Sequence, residues 1–490
     1  MKKNMQFISL FICLITVMCG CSGDDIIKDE GPQKGSGGDG NIIKTRTYYV
    51  SASMGSDTYT AEQAKKTTTP WKTIQKAANT ILGGDTVIVL SGTYHERVTV
   101  TARCNGTEEA PTVFMGNVDQ SVVIDDRNDG VSNRWTSVFK IDGAQYIKVK
   151  GIKVQNAGWY GFSVENRSQN ITIDNCFTYN TRASGIYSAY TSNLTIINNN
   201  VRKACQERER LPNGDGSQEC ITVTRTSQFL ISHNEVWDST VDGNAGGEGI
   251  DAKGVSYDGE ISFNYVHDIV PLGVYVDAGS GESYNIKVFS NKLVNTGGVA
   301  VAGELGGHAR DIYFYNNIII NSLLSGFVFQ NIQNGKFTNI YIVNNTFYNS
   351  NQTGGFGGDI ANYSKNTENR NLVIRNNIFY NKLGKYRFSI WHDMAAPHVI
   401  SNNLFYDFKA SNAGGENSYN DDKLTAADIK NQNPMFVDES TYDLKIQSTS
   451  PAINMAIPIT LPNSTMLMFD TDFSGKKRGT SKWDMGAFEH

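Results

Sequence analysis

The chain has 490 residues, 39% hydrophobic and 11% aromatic, with 44 basic against 49 acidic side chains and a formal net charge of −5. It is apolar enough to bury a core and too aromatic to be disordered throughout, and its charge excludes a nucleic-acid binder held by bulk electrostatics. No apolar run reaches the roughly 18 residues of a membrane-spanning helix, so no integral membrane protein of that kind is expected.

Lys2 and Lys3 precede an apolar stretch, Phe7 to Met18, which meets Cys19-Gly20-Cys21-Ser22. A positive segment, an apolar core and small residues at a cut site make a secretory signal, here residues 1–20. A cysteine at the cut resembles the bacterial lipoprotein signal, and Gly20 in the small position before it makes Cys21 the lipidated residue. Ser22-Gly23-Asp24-Asp25 resembles the acidic tag that sends some bacterial lipoproteins to the cell surface. The implied location is the outer membrane, lipid-anchored and exposed to the outside, with no other membrane contact. Residues 21–44, mostly Gly, Ser, Lys and Asp, read as a solvated tether.

From Thr45 to residue 490 one domain is expected, capped at both ends. After an opening segment comes a repeat: alternating apolar residues, Asn, any residue, an apolar residue. It stands at Asn175, Asn199, Asn234, Asn264, Asn291, Asn317, Asn345, Asn377 and Asn403, at spacings of 24 to 35 residues. Such a period with short β-type segments predicts an all-β fold, a single-stranded right-handed parallel β-helix. The Asn side chains would stack as a ladder at one turn. Nine coils at the strand spacing make a rod roughly 40 Å long. Leucine-rich repeats share the period, but their leucine consensus is absent.

A second strand per coil aligns as Gly161–Glu165, Gly185–Ala189, Cys220–Thr224, Gly249–Lys253, Gly273–Asp277, Gly298–Ala302 and Gly326–Gln330. Alternation puts Phe162, Ile186, Ile221, Ile250, Val274, Val299 and Phe327 inside. Two rows then point out: Ser163, Tyr187, Thr222, Asp251, Tyr275, Ala300, Val328, and Glu165, Ala189, Thr224, Lys253, Asp277, Ala302, Gln330. Glu219 and Glu248 precede their strands, and Glu304 follows one.

Outward charges on a β-helix are mostly solvated decoration, but this cluster has chemistry available to it. Three carboxylates on adjacent coils, Glu219, Glu248 and Asp251, suit Ca²⁺ through oxygen-only ligands. Asp277 and Glu304, on neighbouring coils, suit glycoside cleavage by two carboxyls. Tyr187, Tyr275 and Trp159 are candidates to stack on sugar rings, and Arg225 and His308 to meet substrate carboxylates. The insertion between Ala204 and Glu219 is expected to overhang the groove. Outside the cell Cys104, Cys176, Cys205 and Cys220 could pair, and a staple of Cys205 to Cys220 across the insertion is the favoured one. Four scattered cysteines make no metal cluster.

The opening YYVSASMGSD, PWKTIQKAAN and GGDTVIVLSGTY, with the closing NPMFVD, SPAIN and DMGAFEH, resemble the two ends of secreted β-helix enzymes, above all polysaccharide lyase family nine. That family comprises pectate lyases and their rhamnogalacturonan-cleaving relatives, and the resemblance covers nearly the whole mature chain. It implies a Ca²⁺ site at Gly247-Glu248-Gly249-Ile250-Asp251, with Glu219 one coil earlier, whereas Tyr275 stands where the family has its catalytic Lys. Glu248 and Lys253 are spaced like the Ca²⁺-binding Glu and catalytic Lys of the family six lyases, with Asp277 at that family's Arg position. GVYVDAG at Asp277 resembles the nucleophile motif of the β-helix β-xylosidases, and VAGELGGH at Glu304 their acid/base motif, offset by two residues.

Three functions follow. The first is a monomeric lyase acting on a uronic-acid polysaccharide of pectin or rhamnogalacturonan type: Ca²⁺ at Glu219, Glu248 and Asp251 stabilises the enolate, with Lys253, or a deprotonated Tyr275, as base. The second is a hydrolase using Asp277 and Glu304. The third is a glycan-binding scaffold without catalysis.

Overall fold

The computed structural model describes residues 45–117, 119–127, 135–207, 218–239, 246–330, 334–353, 358–364, 366–382, 390–392, 398–406 and 424–490. The signal, Cys21, the tether and residues 208–217 of the insertion lie outside the described residues.

The chain winds as a single-stranded right-handed parallel β-helix. Apolar residues at every second strand position face inward, so each turn buries one row against the coils above and below. One face stacks the strands Ser137–Asp142, Tyr160–Glu165, Ile186–Ile197, Ile221–Ser232, Ile250–Lys253, Val274–Asp277, Val299–Ala302 and Phe327–Gln330, all parallel. Phe162, Ile186, Ile221, Ile250, Val274, Val299 and Phe327 are all buried inside, as the alternation requires.

A separate face forms a sheet of 13 parallel strands, from Gly92–Tyr94 to Ile429–Lys430. Thirteen strands at the parallel spacing span about 58 Å, so the rod is longer than nine Asn-bearing coils suggest. The N-terminal coils have no ladder Asn and escape the pattern.

The ladder runs from Asn199 to Asn403. At a typical rung the Asn264 backbone N–H and side-chain amide both donate to Asn291 Oδ1, at 3.0 and 2.9 Å, and the same amide donates to the Ile231 carbonyl at 2.9 Å. Asn175 is not a rung. It has a positive φ of 49°, and Cys176 takes the rung position, its N–H donating to Asn199 Oδ1 at 2.8 Å. The residue before each rung occupies the left-handed corner, as Asn198, Asn316, Asn344 and Asn376 do. Asn tolerates that conformation better than other non-glycine residues. The ladder ends on Asp428, whose Oδ1 accepts from the Asn403 N–H at 2.8 Å.

A short N-terminal helix, Ile74–Ala78, covers the first coils, with its leading N–H groups held by the Glu96 carboxylate. At the other end the chain returns along the outside of the stack. The Asn376, Asn344 and Asn316 amides donate to the carbonyls of Ile457, Asp484 and Thr471. Between tail and coils lies a second apolar layer with Tyr315, Tyr348, Phe469 and Trp483. The Cys205–Cys220 staple is not formed: both are buried free thiols, and burial, then the hydrogen-bonded Cys220 thiol, pushes the Cys205 thiol up.

Candidate functional site

The strand pairings reproduce both outward rows. Tyr187, Thr222, Asp251, Tyr275, Ala300 and Val328 are successive partners, and so are Ala189, Thr224, Lys253, Asp277, Ala302 and Gln330. A third row lies at the strand entrances, where the Cys220 N–H donates to the Glu248 carbonyl and the Gly249 N–H to that of Leu272. It stacks Glu219, Glu248 and Leu272 along the edge of the same face.

Five carboxyl groups and one ammonium therefore share a small volume. Lys253 Nζ is 2.7 Å from Glu219 Oε1 and donates to Gln218 Oε1 at 3.0 Å. Thr222 donates to Glu219 Oε2 at 2.9 Å. Asp277 Oδ1 accepts the backbone N–H groups of Gly279 at 2.8 Å and Glu304 at 3.1 Å, which binds the two candidate carboxyl residues more closely than their two-residue offset suggests. Tyr275 donates to Glu304 Oε1 at 2.5 Å. Asp251 is 1% exposed, and its Oδ1 has no hydrogen-bond partner.

Too little positive charge serves this cluster, and four of its carboxyls, Glu248, Asp251, Asp277 and Glu304, are raised. Burial, then the charge of Asp277, pushes the Glu304 carboxyl up to about 8. Burial and Glu219 push Glu248 up to about 7 and Asp251 well above the usual carboxylate range. Burial also raises Asp277, opposed by its two backbone N–H donors. Each follows from desolvation and like-charge neighbours.

Several expected roles change. Lys253 Nζ is held by Glu219 Oε1 and Gln218 Oε1, which turns it away from the role of a free base. Burial, then Glu304, drives the Tyr275 phenol well above its usual range, so Tyr275 is not a deprotonated base either. Arg225 is exposed and lies over the Tyr190 ring at 5.2 Å, away from the cluster. His308 is held by Glu282 Oε1 at 3.2 Å and Thr338 Oγ1 at 2.9 Å. Tyr187 stacks on Tyr160 at 4.2 Å. Trp159 is fully buried, so its ring face is closed to a sugar.

The Ca²⁺ ligands are right in kind, all oxygen, and the bare Asp251 Oδ1 suits a cation. Their arrangement does not fit: Glu219 is taken by Lys253 and Thr222, and among the described residues no three acidic, His or Cys side chains converge on a metal position. Gln218 was not foreseen. It ends an irregular insertion with no periodicity to place it. Neither were the backbone donors to Asp277, which sequence patterns do not encode.

Residues 48–243 match the model of the Pel9A-like right-handed β-helix region. Over 441 residues the chain is 24% identical to YwoF of Bacillus subtilis (strain 168), described only as uncharacterized, spanning 78% of this chain and 88% of that protein. XylC, solved with xylose, superposes with a TM-score of 0.52 at 14% identity, over 90% of this chain and 98% of its own. The pectate lyase Pel9A gives 0.49 at 16% identity, over 92% and 98%. The chain thus has the β-helix fold found among carbohydrate-active proteins.

Proposed function

We propose that this chain is a polysaccharide-degrading enzyme that hydrolyses glycosidic bonds with Asp277 and Glu304. The observation that carries it is the coupled pair: Asp277 fixed by two backbone N–H groups, and Glu304 pushed to about 8, hence protonated at neutral pH. Burial raises both carboxyls, but Asp277 has two backbone N–H donors that oppose the rise and favour its anionic form, the division of labour that an acid and its anionic partner need. Glu304 gives its proton to the bridging oxygen as the glycosidic bond breaks, and the Asp277 carboxylate supports the positive charge that develops on the sugar. Water completes the hydrolysis and returns the proton. Tyr275 orients Glu304 through Oε1, leaving Oε2 to carry the proton. The strip has one ammonium among five acids, a sign that suits an uncharged glycan, and the likeness to XylC with its xylose points the same way.

A second reading, elimination on a uronic-acid polymer, is favoured by the bare Asp251 Oδ1. Elimination needs a positive charge for the substrate carboxylate, and Glu219, tied to Lys253 and Thr222, leaves Asp251 Oδ1 as the bare oxygen toward a cation. One experiment separates the two. Residues 45–490 are incubated with neutral and uronic-acid polysaccharides, with Ca²⁺ or EDTA. New reducing ends without absorbance near 235 nm, indifferent to EDTA, support hydrolysis; a rise at 235 nm that EDTA abolishes replaces it with elimination. The setting we propose is the outer face of the outer membrane, with lipid on Cys21.

A further inference from the structure

Asp277 is turned into the bend that leaves the site strands, where its Oδ1 is held by the N–H groups of Gly279 and Glu304. On earlier coils the same bend carries a stack of side chains. Tyr190 and Arg225 stand opposite each other there, between the strand partners Ala189–Thr224 and Thr191–Thr226. Both are left-handed, with φ of 56° and 48°. Tyr190 is 56% exposed, more than any other Tyr, Phe or Trp among the described residues, and the exposed Arg225 lies over its ring at 5.2 Å. Such a backbone is costly for an aromatic or a long side chain, and at other corners the chain gives it to Asn, as at Asn180, Asn198 and Asn285.

The stack then stops for two coils. Gly254 stands opposite Arg225, its carbonyl accepting the Arg225 N–H at 3.1 Å, and Gly279 follows on the next coil. Their φ values are 54° and 56°. Left-handed backbone does not by itself demand glycine in this bend, because Tyr190 and Arg225 adopt it. Nor does crowding at Gly279, where a Cβ would meet nothing within 4 Å except the Gly254 Cα, at 3.5 Å. That Cβ would lean back over Gly254, as Arg225 leans back over Tyr190. The next side chain along the bend is Leu305, whose N–H donates to the Gly279 carbonyl at 2.9 Å. Between Arg225 and Leu305 the bend is floored by backbone.

We propose that this gap holds one sugar unit of the substrate, laid over Gly254 and Gly279 beside Asp277 and Glu304, with the Arg225 guanidinium as its wall and Tyr190 as the buttress behind that wall. The proposal deepens the hydrolytic reading above and rests on it. Three coil spacings separate Arg225 from Leu305, about 14 Å between backbones, which leaves room for a pyranose ring between the flanking side chains. A ring with free hydroxyl groups suits that wall. The guanidinium offers N–H donors in one plane, and none of them meets a carboxylate among the described residues. Its contact with the Tyr190 ring fixes that plane beforehand, so less side-chain freedom is lost when a sugar binds. Strained residues that a fold could replace by Asn, set next to the acids, are expected where a ligand uses them.

The test uses neutral oligosaccharides of about two to six units (xylo, arabino, galacto, manno and gluco series). Cleavage kinetics are measured on the chain and its variants, and binding by titration calorimetry with Glu304→Gln added to each. Gly279→Asn keeps a backbone that Asn tolerates and sends a side chain into the gap. It should lower affinity and kcat/KM about tenfold or more while the melting temperature holds. Arg225→Asn and Tyr190→Asn remove wall and buttress and relieve the backbone. Each should raise KM about three- to tenfold, more than it changes kcat, while the melting temperature holds or rises. Unchanged affinity and kcat/KM in Gly279→Asn overturn the gap and leave hydrolysis standing. So does a lower melting temperature in Tyr190→Asn and Arg225→Asn with KM unmoved, which would make the pair a structural one. Binding that these variants weaken, without cleavage of any series by the unmodified chain, sinks hydrolysis and keeps the gap as a sugar site. Neither binding nor cleavage in any series removes both.

Discussion

The corner that carries Asn199 to Asn403 and the face that carries Glu219 to Glu304 pass through the same coils, yet they obey opposite rules. At the corner every rung from Asn199 onward is the same residue making the same bonds, and each buried amide is satisfied by its neighbours. On the face no two successive rungs agree: Thr222, Asp251, Tyr275 and Ala300 follow one another in a single row. A stack needs only one regular seam to hold its coils in register. The other outward positions are then released for chemistry, even where that chemistry opposes stability, as the crowded carboxyls do.

The sharpest break of this contrast is on the face. Glu304→Gln or Asp277→Asn should each lower turnover about 10²- to 10⁴-fold without lowering the melting temperature, because each keeps the side chain's shape and a hydrogen-bond acceptor and adds no charge to an overloaded site. Unchanged turnover in both would end the hydrolytic reading. The converse break is at the corner. Asn291→Ala orphans the Asn264 amide and should cost about 2 kcal/mol in a denaturant titration. Activity per folded molecule should not move.

pH sharpens the contrast further. Carboxyls kept protonated by the fold bind protons that the unfolded chain has released. Their contribution is full below the ordinary carboxylate pKa near 4 and is lost as pH rises towards 7 for Glu248 and 8 for Glu304. The melting temperature should therefore fall between pH 5 and pH 8, and Asp251→Asn should flatten that slope; a flat profile in the parent chain would show the cluster to be ionised or screened. Activity should fade on the alkaline side near pH 8 as Glu304 loses its proton. The smallest effect is expected from Lys253→Met. Lys253 pulls the Glu304 pKa down, so its loss should move that alkaline limb upward by less than about one unit.

Much of this is legible in the sequence. Period-two alternation fixed both outward rows, because an inward apolar residue leaves its neighbours no choice of side. The seam was legible too, except at Asn175, where the motif's letters are present but shifted by one onto the corner residue. What could not be read is how the side chains partner. Sequence spacing brought Glu219, Glu248 and Asp251 together as ligands, but Lys253 reaches across a coil and claims Glu219 first.

The returning C-terminal segment has a consequence for biogenesis. The residues that stitch the corners at Asn316, Asn344 and Asn376 are synthesised after the coils they bind. Until they arrive, the apolar ring ladder of Tyr315 and Tyr348 stays wet. A chain interrupted before Ile457 would present that ladder as a sticky flank, open to proteases and to other unfinished chains. The tail thus has to dock before the outer apolar layer of these coils is closed.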